Sequence, residues 1–420
     1  MRILDCFLKG MLLLIAVVAA VLPAAAQENI PHISAVSPEF GAENVDTLTE
    51  ISVTFSAAMD KKSVEKNFYV YPEVKGKFCW KENTLFFKPL EPLLPSTSYY
   101  VSCSPQIKSA GGTPLVITAF STPAQALCVG ADGKIIIVSI NARVERMLVD
   151  GRNPVWSVDK RSIVYDWDGK LWQIDAAARD KIQLIDDDET YKSGRPAYNP
   201  VMDLVAFIGT NDAGADNVYT IEPQTKAVQQ LTAFYEPMSI DFLRWSPDGL
   251  YLAFLRSGQI WIMNRDGKDM RKLTTTDLTC KSNFAWSPGG VKITFGGKEN
   301  VWVGDIYSSE LKKLSFDNPK TGALDWSQYN KVVFESDGLT IMDADGSNEI
   351  QVATAGGNPC WIDKGKYLSY VLPLYDKDNS AQLWIMSADG LTKEKIADID
   401  SRYTSVSWSK SSNTQKLFSP

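Results

Sequence analysis

One aromatic residue returns along most of this chain at intervals of 35 to 47 residues: Trp156, Tyr198, Trp245, Trp286, Trp326, Trp361 and Trp408. The clearest copy of the repeat is residues 244–274, RWSPDGLYLAFLRSGQIWIMNRDGKDMRKLT, which reads as four short strands. Ser246-Pro247-Asp248-Gly249 turns the chain after Trp245, because Pro presets φ and Asp and Gly suit the later turn positions. Arg256-Ser257-Gly258 turns it again. Arg265-Asp266-Gly267-Lys268 is a hairpin signal of the Asp-Gly type. The third strand recurs in phase as LWQID (171–175), VYTIE (218–222), IWIMN (260–264), VWVGD (301–305), LTIMD (339–343) and LWIMS (383–387). A four-stranded unit of this size cannot cover both of its own faces, so the copies must cover one another. A period near forty with one Trp per unit predicts a β-propeller.

The string WSPDG-x-x-LAF…IWIMN-x-DG-x-x-x-x-KLT resembles the TolB-like propeller repeat, over roughly residues 126–420. It marks a fold, since its Trp, Pro, Asp and Gly build turns and core. Residues 126–150 match the later strands of a repeat without the first, and Ser405 to Ser419 supply a first strand and a short one after it. A ring closes without a free sheet edge when both chain ends share a blade. The expectation is therefore an all-β chain with a propeller of seven blades, the last composite; the alternative, which the TolB resemblance implies, is six.

The preceding segments differ in texture. Arg2 and Lys9 give a basic start, Met11 to Leu22 are almost wholly apolar, and Ala24-Ala25-Ala26 offers a small-residue cleavage site, so residues 1–26 read as a signal peptide. A periplasmic or secreted protein without a membrane span after cleavage is expected. Residues 28–123 carry short β-type runs separated by Pro, Gly and Asn, which predicts an Ig-like β-sandwich of about seven strands. Val36-Ser37-Pro38, Val53-Thr54-Phe55-Ser56, Met59-Asp60 and Phe87-Lys88-Pro89 resemble the bacterial Ig-like domain of the SbsA type, which implies a spacer or adhesive module.

The formal net charge of −7 becomes −8 once Arg2, Lys9 and Asp5 leave with the signal, and no basic run stands out. Nucleic acid is thus not an expected partner. Cys79 and Cys103 are the one disulfide to consider within the sandwich. Strand parity opposes it, because Cys103 shares a face with Tyr99 and Val101 while Cys79 faces away from Phe78 and Trp80.

Catalytic constellations are scarce. The single His, His32, lies outside the repeats, which excludes Ser–His–Asp, Cys–His and multi-His zinc arrangements on the propeller. Asp132, Asp248, Asp266, Asp345 and Asp389 each precede Gly in a turn, where local backbone bonding explains them. Oxygen-rich stretches at 211–217, 376–380 and 186–189 lack the full spacing of a calcium loop, so no metal or cofactor is assigned. The Trp row reads as packing between blades.

Loop geometry points to a binding face. Alternation along each unit places the second-to-third loops and the links between blades on one side of the disc. The two longest repeats carry their extra residues there, at Gly209 to Asn217 and Leu372 to Gln382. Just before the repeated aromatic on that side stand Arg152, Asn153, Arg195, Asp241, Asn283 and Asn358, a polar and partly cationic rim at the channel mouth. These six are the candidate ligand- or partner-binding residues. The expected function is a non-enzymatic, monomeric envelope scaffold whose propeller binds a protein or peptide; the TolB resemblance implies a peptidoglycan-associated lipoprotein as partner. The alternative is an extracellular carbohydrate-active enzyme using acidic residues, with or without calcium.

Overall fold

The computed structural model describes residues 33–103, 116–122, 124–129, 134–140, 144–185, 191–275, 277–280, 282–297, 300–315, 322–374, 380–400 and 406–409. Residues 1–26, where a signal peptide is expected, His32, Asp132, the acidic run 186–189 and residues 376–379 lie outside them. Contacts divide the chain into two units, one of residues 1–93 and 98–120, the other of residues 94–97 and 121–420. No helix among the described residues is long and apolar enough to cross a membrane.

The first unit is a sandwich of a four-stranded and a three-stranded sheet. Strands Ile51–Phe55 and Thr84–Pro89 form the middle of the larger sheet, Phe68–Tyr71, Ser98–Cys103 and Val116–Ser121 the smaller. Alternation decides what lies inside: Ile51, Val53 and Phe55 are buried against Leu85, Phe87, Tyr99 and Val101. Gly76–Lys81 alternates in the same way, so Cys79 points to solvent and its thiol is free. Parity along that strand is thus what keeps it from a disulfide.

The second unit contains seven four-stranded antiparallel sheets among the described residues. Six follow directly in sequence, with inner strands Arg152–Trp156, Tyr191–Tyr198, Ile240–Trp245, Phe284–Trp286, Leu324–Trp326 and Gly357–Ile362. They are called the first to sixth sheets below. The remaining sheet is composite: Gln125–Val129, Lys134–Ser139 and Val144–Asp150 take Ser407–Trp408 from the far end of the chain as their inner strand. Trp408 pairs with Ala126 and so occupies the place of the repeated Trp.

Seven apolar clusters join each sheet to the next. One sets Leu127 and Ile137 of the composite sheet against Trp156 and Ile163 of the first. Another sets Val371 and Leu383 of the sixth against Ala126 and Val138 of the composite sheet, which closes the row on itself. The five between follow the same rule. The second strands supply a ring of buried aromatics, Tyr165, Phe207, Phe254, Phe295, Phe334 and Tyr370, each bringing a large apolar area out of water. Burial of one such side chain stabilises by roughly 1.5–3 kcal/mol.

The repeat residues act as their local chemistry requires. Ser246 Oγ accepts Tyr251 N–H at 2.9 Å and donates to Asp248, whose carboxylate accepts Leu250 N–H at 3.1 Å. Trp245 Nε1 donates to Ala197 O at 3.0 Å and Trp286 Nε1 to Arg244 O at 3.3 Å, so these rings bind their sheet to the preceding one. The extra residues of the second sheet differ from the loop expected at Gly209 to Asn217. Val205–Asn211 and Asp216–Ile221 lengthen instead, pairing as far as Thr210 with Asp216 around a tight turn. Asn211 Oδ1 accepts Ala213 and Ala215 N–H, and extended pairing satisfies more backbone than a loop would. In the sixth sheet the ladder likewise runs out to Pro373 and Ala381, so part of the expected loop at Leu372 to Gln382 is strand.

Candidate functional site

The inner strands are not regular at the ends where the candidate residues lie. In the first sheet Arg152 pairs with Asp166, the register slips, and Val155 pairs with Val164. The second sheet slips between Gly194 and Ala197, and the sixth between Gly357 and Cys360. Each of these three slips contains an X-Pro pair, Asn153-Pro154, Arg195-Pro196 and Asn358-Pro359, whereas the third sheet slips between Ile240 and Phe242 without one. Proline has no N–H to give the ladder, so the strand bulges, and a bulge redirects the side chains beside it. The residue before each proline takes a left-handed φ, +47° at Asn153, +50° at Arg195 and +49° at Asn358. Asparagine visits that region readily; an arginine there is held at a cost of about 1–2 kcal/mol.

Arg195 is held by both its main chain and its side chain. Its N–H donates to Asp166 Oδ1 at 3.1 Å, and its Nη1 donates to Ile240 O at 2.7 Å in the third sheet. Asp166 Oδ1 also accepts Asn153 Nδ2 at 2.8 Å. Burial pushes the Asp166 carboxyl above the ordinary carboxylate range, opposed by those two hydrogen bonds and by the charges of Arg152 and Arg195. The Arg152 guanidinium lies over the Trp167 ring, 6.0 Å from its centroid. Asp216, almost fully buried, accepts Thr210 Oγ1 and, at 2.8 Å, Ile240 N–H.

Together Arg152, Asn153, Asp166, Lys192, Arg195 and Asp216 line a polar cavity of about 430 Å³ between the first and second sheets. Three of the six residues expected at the rim therefore meet in one place. The other three do not. Asp241 is exposed on the third sheet, where it accepts Ser239 Oγ. Asn283 Oδ1 accepts Leu324 N–H at 2.8 Å, which ties the fourth sheet to the fifth. Asn358 is exposed on the sixth sheet. Spacing from the repeated aromatic placed all six at one strand level but gave no distance between sheets.

Asp166, Lys192 and Asp216 were not among the expected residues. A signal for Asp166 is present in the repeat: its counterparts in the second strands are Ile208, Leu255, Gly296, Glu335 and Val371, so an acid stands where most copies carry an apolar or small residue. Glu335 shares this position. Its side chain lies close to Gly322 and Gly357, where an added Cβ would fall 2.8 and 2.9 Å from it, and Oε2 accepts Ala323 N–H at 3.4 Å. Nearer the axis, Arg244 of the third sheet reaches Asp325 of the fifth at 3.3 Å, and Asp325 Oδ2 accepts Trp361 N–H at 2.9 Å. Among the described residues no group of three His, Cys, Asp or Glu side chains is placed to hold a metal ion.

Comparison with known proteins follows the division into two units. The family model of the bacterial Ig-like domain matches residues 27–122. No curated protein matches the chain. An oligogalacturonate lyase solved in complex with manganese is similar at 15% identity and a TM-score of 0.52, over 63% of this chain and 91% of that one. An oligogalacturonate lyase from Vibrio parahaemolyticus is similar at 13% identity and a TM-score of 0.48, over 62% and 88%. TolB from Acinetobacter baumannii is similar at 12% identity and a TM-score of 0.46, over 90% and 98%. At such identities the likeness is one of fold. Residues 27–122 are a bacterial Ig-like domain, and the described residues of the second unit form a propeller-type array of β-sheets.

Proposed function

We propose that this is an exported, non-enzymatic binding protein of the cell envelope, periplasmic or secreted, whose propeller takes a protein or peptide partner at the cavity between the first and second sheets. The observation that carries the reading is the fixed Arg195: a strained backbone supported by Asp166 on one side and Ile240 on the other. Strain maintained by surrounding hydrogen bonds is a feature of sites that present a side chain for use. The acids of the cavity support binding over chemistry. Asp166 and Asp216 already accept bonds from Asn153, Arg195, Thr210 and Ile240, which is the role of a positioning group. The Ig-like domain and the signal segment support export, and a peptidoglycan-associated lipoprotein is one partner to try.

Cross-linking of the full-length protein in envelope extracts tests this. A single partner is expected with the wild type and lost with R195A and K192E, while D241N and N358A retain it. Turnover of a polysaccharide panel, abolished by a chelator, would instead establish the carbohydrate-active alternative, which the lyase-like fold keeps in view.

A further inference from the structure

We infer that the cavity is built for the carboxylate of an acidic peptide segment, an inference that rests on the binding reading above and gives it a ligand chemistry. Three cations, Arg152, Lys192 and Arg195, line it against two acids, Asp166 and Asp216, so it carries a net positive charge on a chain whose formal charge is −7. A local charge opposite in sign to the whole molecule singles out anions at that point.

The acids offset two of the three positive charges, but they accept their hydrogen bonds from the wall, so the donors left for a ligand are those of the cations. Asp166 Oδ1 takes two N–H donors, and Asp216 uses both oxygens. Arg195 and Lys192 keep donors for a ligand. Arg195 commits Nη1 to Ile240 O and is otherwise exposed, which leaves further guanidinium N–H groups for a planar acceptor. Lys192 is exposed, its stem lying over Gly169, and its ammonium makes no hydrogen bond or ion pair among the described residues.

Trp167 favours a peptide over an acidic sugar. It is 37% exposed, and the guanidinium of Arg152, which lines the cavity, lies over one face of its ring. Arg152 takes one of the two faces on which a sugar could stack, while the ring edge suits an apolar peptide side chain. Arg and Trp at the centre of a contact are also the residues that most often dominate protein recognition. The ligand is therefore a segment with carboxylates on either side of an apolar residue.

The test uses the full-length mature protein and two fluorescein-labelled, amidated pentapeptides, one with two glutamates flanking a leucine, the other with glutamines in their place. Fluorescence polarisation at low ionic strength is expected to show about tenfold tighter binding of the glutamate peptide, the size of one or two charge-assisted hydrogen bonds. That preference shrinks as salt is added. K192E should weaken the glutamate peptide about fivefold while keeping the wild-type melting temperature, and R152Q should weaken the glutamate peptide more than the glutamine peptide. Equal binding of the two peptides, no saturable binding of the glutamate peptide, or displacement by a uronate disaccharide at lower concentration than by unlabelled peptide each overturns the inference. If the envelope partner is still captured through Arg195 and Lys192 while the peptides bind alike, the carboxylate inference falls alone. If the rim variants alter neither measurement, the binding reading falls with it.

Discussion

Asp166 in the first sheet and Glu335 in the fifth occupy the same place in the repeat, three residues beyond the partner of the conserved aromatic in the second strand. Both carboxylates lie beside a glycine of the next sheet, Gly194 and Gly357. Their surroundings part from there. Asp166 binds Asn153 and the Arg195 N–H and feels the charges of Arg152 and Arg195, at the wall of an open cavity. Glu335 fills the space left by Gly322 and Gly357 and accepts one long bond from Ala323. The fifth sheet's other inner acid, Asp325, is committed to Arg244 and Trp361. One scaffold position thus serves a site in one sheet and packing in the other. The neighbours, and above all arginine as against glycine, make the difference.

The turns beside these acids give the largest expected contrast. Gly169 and Gly338 close the second-to-third turn of the two sheets, both at positive φ. A Cβ at Gly338 would lie 2.1 Å from Ala353 O, a backbone atom that cannot yield, whereas at Gly169 it meets only the flexible Lys192 stem at 3.4 Å. G338A should therefore cost about 3 kcal/mol or more and G169A only the conformational cost of about 1–2 kcal/mol, read from urea unfolding. Equal losses would mean that the two turns are not held differently.

Removing the acids themselves should sharpen the comparison. D166A leaves Asn153 Nδ2 and Arg195 N–H without their acceptor and should cost roughly 2–3 kcal/mol; E335A removes one weak bond and should cost about 1 kcal/mol or less. Thermal melting of the two variants measures both, and a larger loss for E335A would reverse the assignment of roles.

A pH series adds the sign. Because burial raises the folded-state Asp166 pKa, the folded protein holds that proton more tightly than the unfolded chain does. The stability this group contributes is complete below its unfolded value near 3.8 and is lost as pH rises through the higher folded value. The wild type should therefore lose stability over that interval relative to D166N, which has no proton to lose. Identical profiles for wild type and D166N would show that the hydrogen bonds and the Arg152 and Arg195 charges cancel the effect of burial.

The smallest effect is expected at the axis. Arg244 is 36% exposed and its pair with Asp325 spans 3.3 Å, so R244Q should cost under about 1 kcal/mol. D325A should cost more, since it also strips the acceptor from Trp361 N–H.

The legible parts of this molecule were those written at short range. Turn residues, the period of two along strands and the recurring Trp gave the sheets, their order and the incomplete repeat that Trp408 completes. The site was legible only in part. Arg152, Asn153 and Arg195 were found by their place in the repeat, but the same rule also named Asp241, Asn283 and Asn358, which lie elsewhere on the ring. Lys192 and Asp216 carry no motif, and Asp166 stands out only against its counterparts in the other sheets. The expected loop at 209–217 failed for a related reason: whether extra residues hang free or extend a ladder depends on the strand opposite, and Thr210 finds Asp216 there.

By itself, then, the order of residues determined the modules, because turns, strand alternation and one aromatic per repeat act over a few neighbours. Which modules meet, and which charged side chains converge when they do, was decided by the tertiary structure. Arg195 is fixed in the cavity wall only when Asp166, twenty-nine positions earlier, and Ile240, forty-five later, arrive on either side of it. The contact between sheets is set by apolar clusters that bury the same kind of surface at every junction, and such surfaces do not specify the polar residues they bring together.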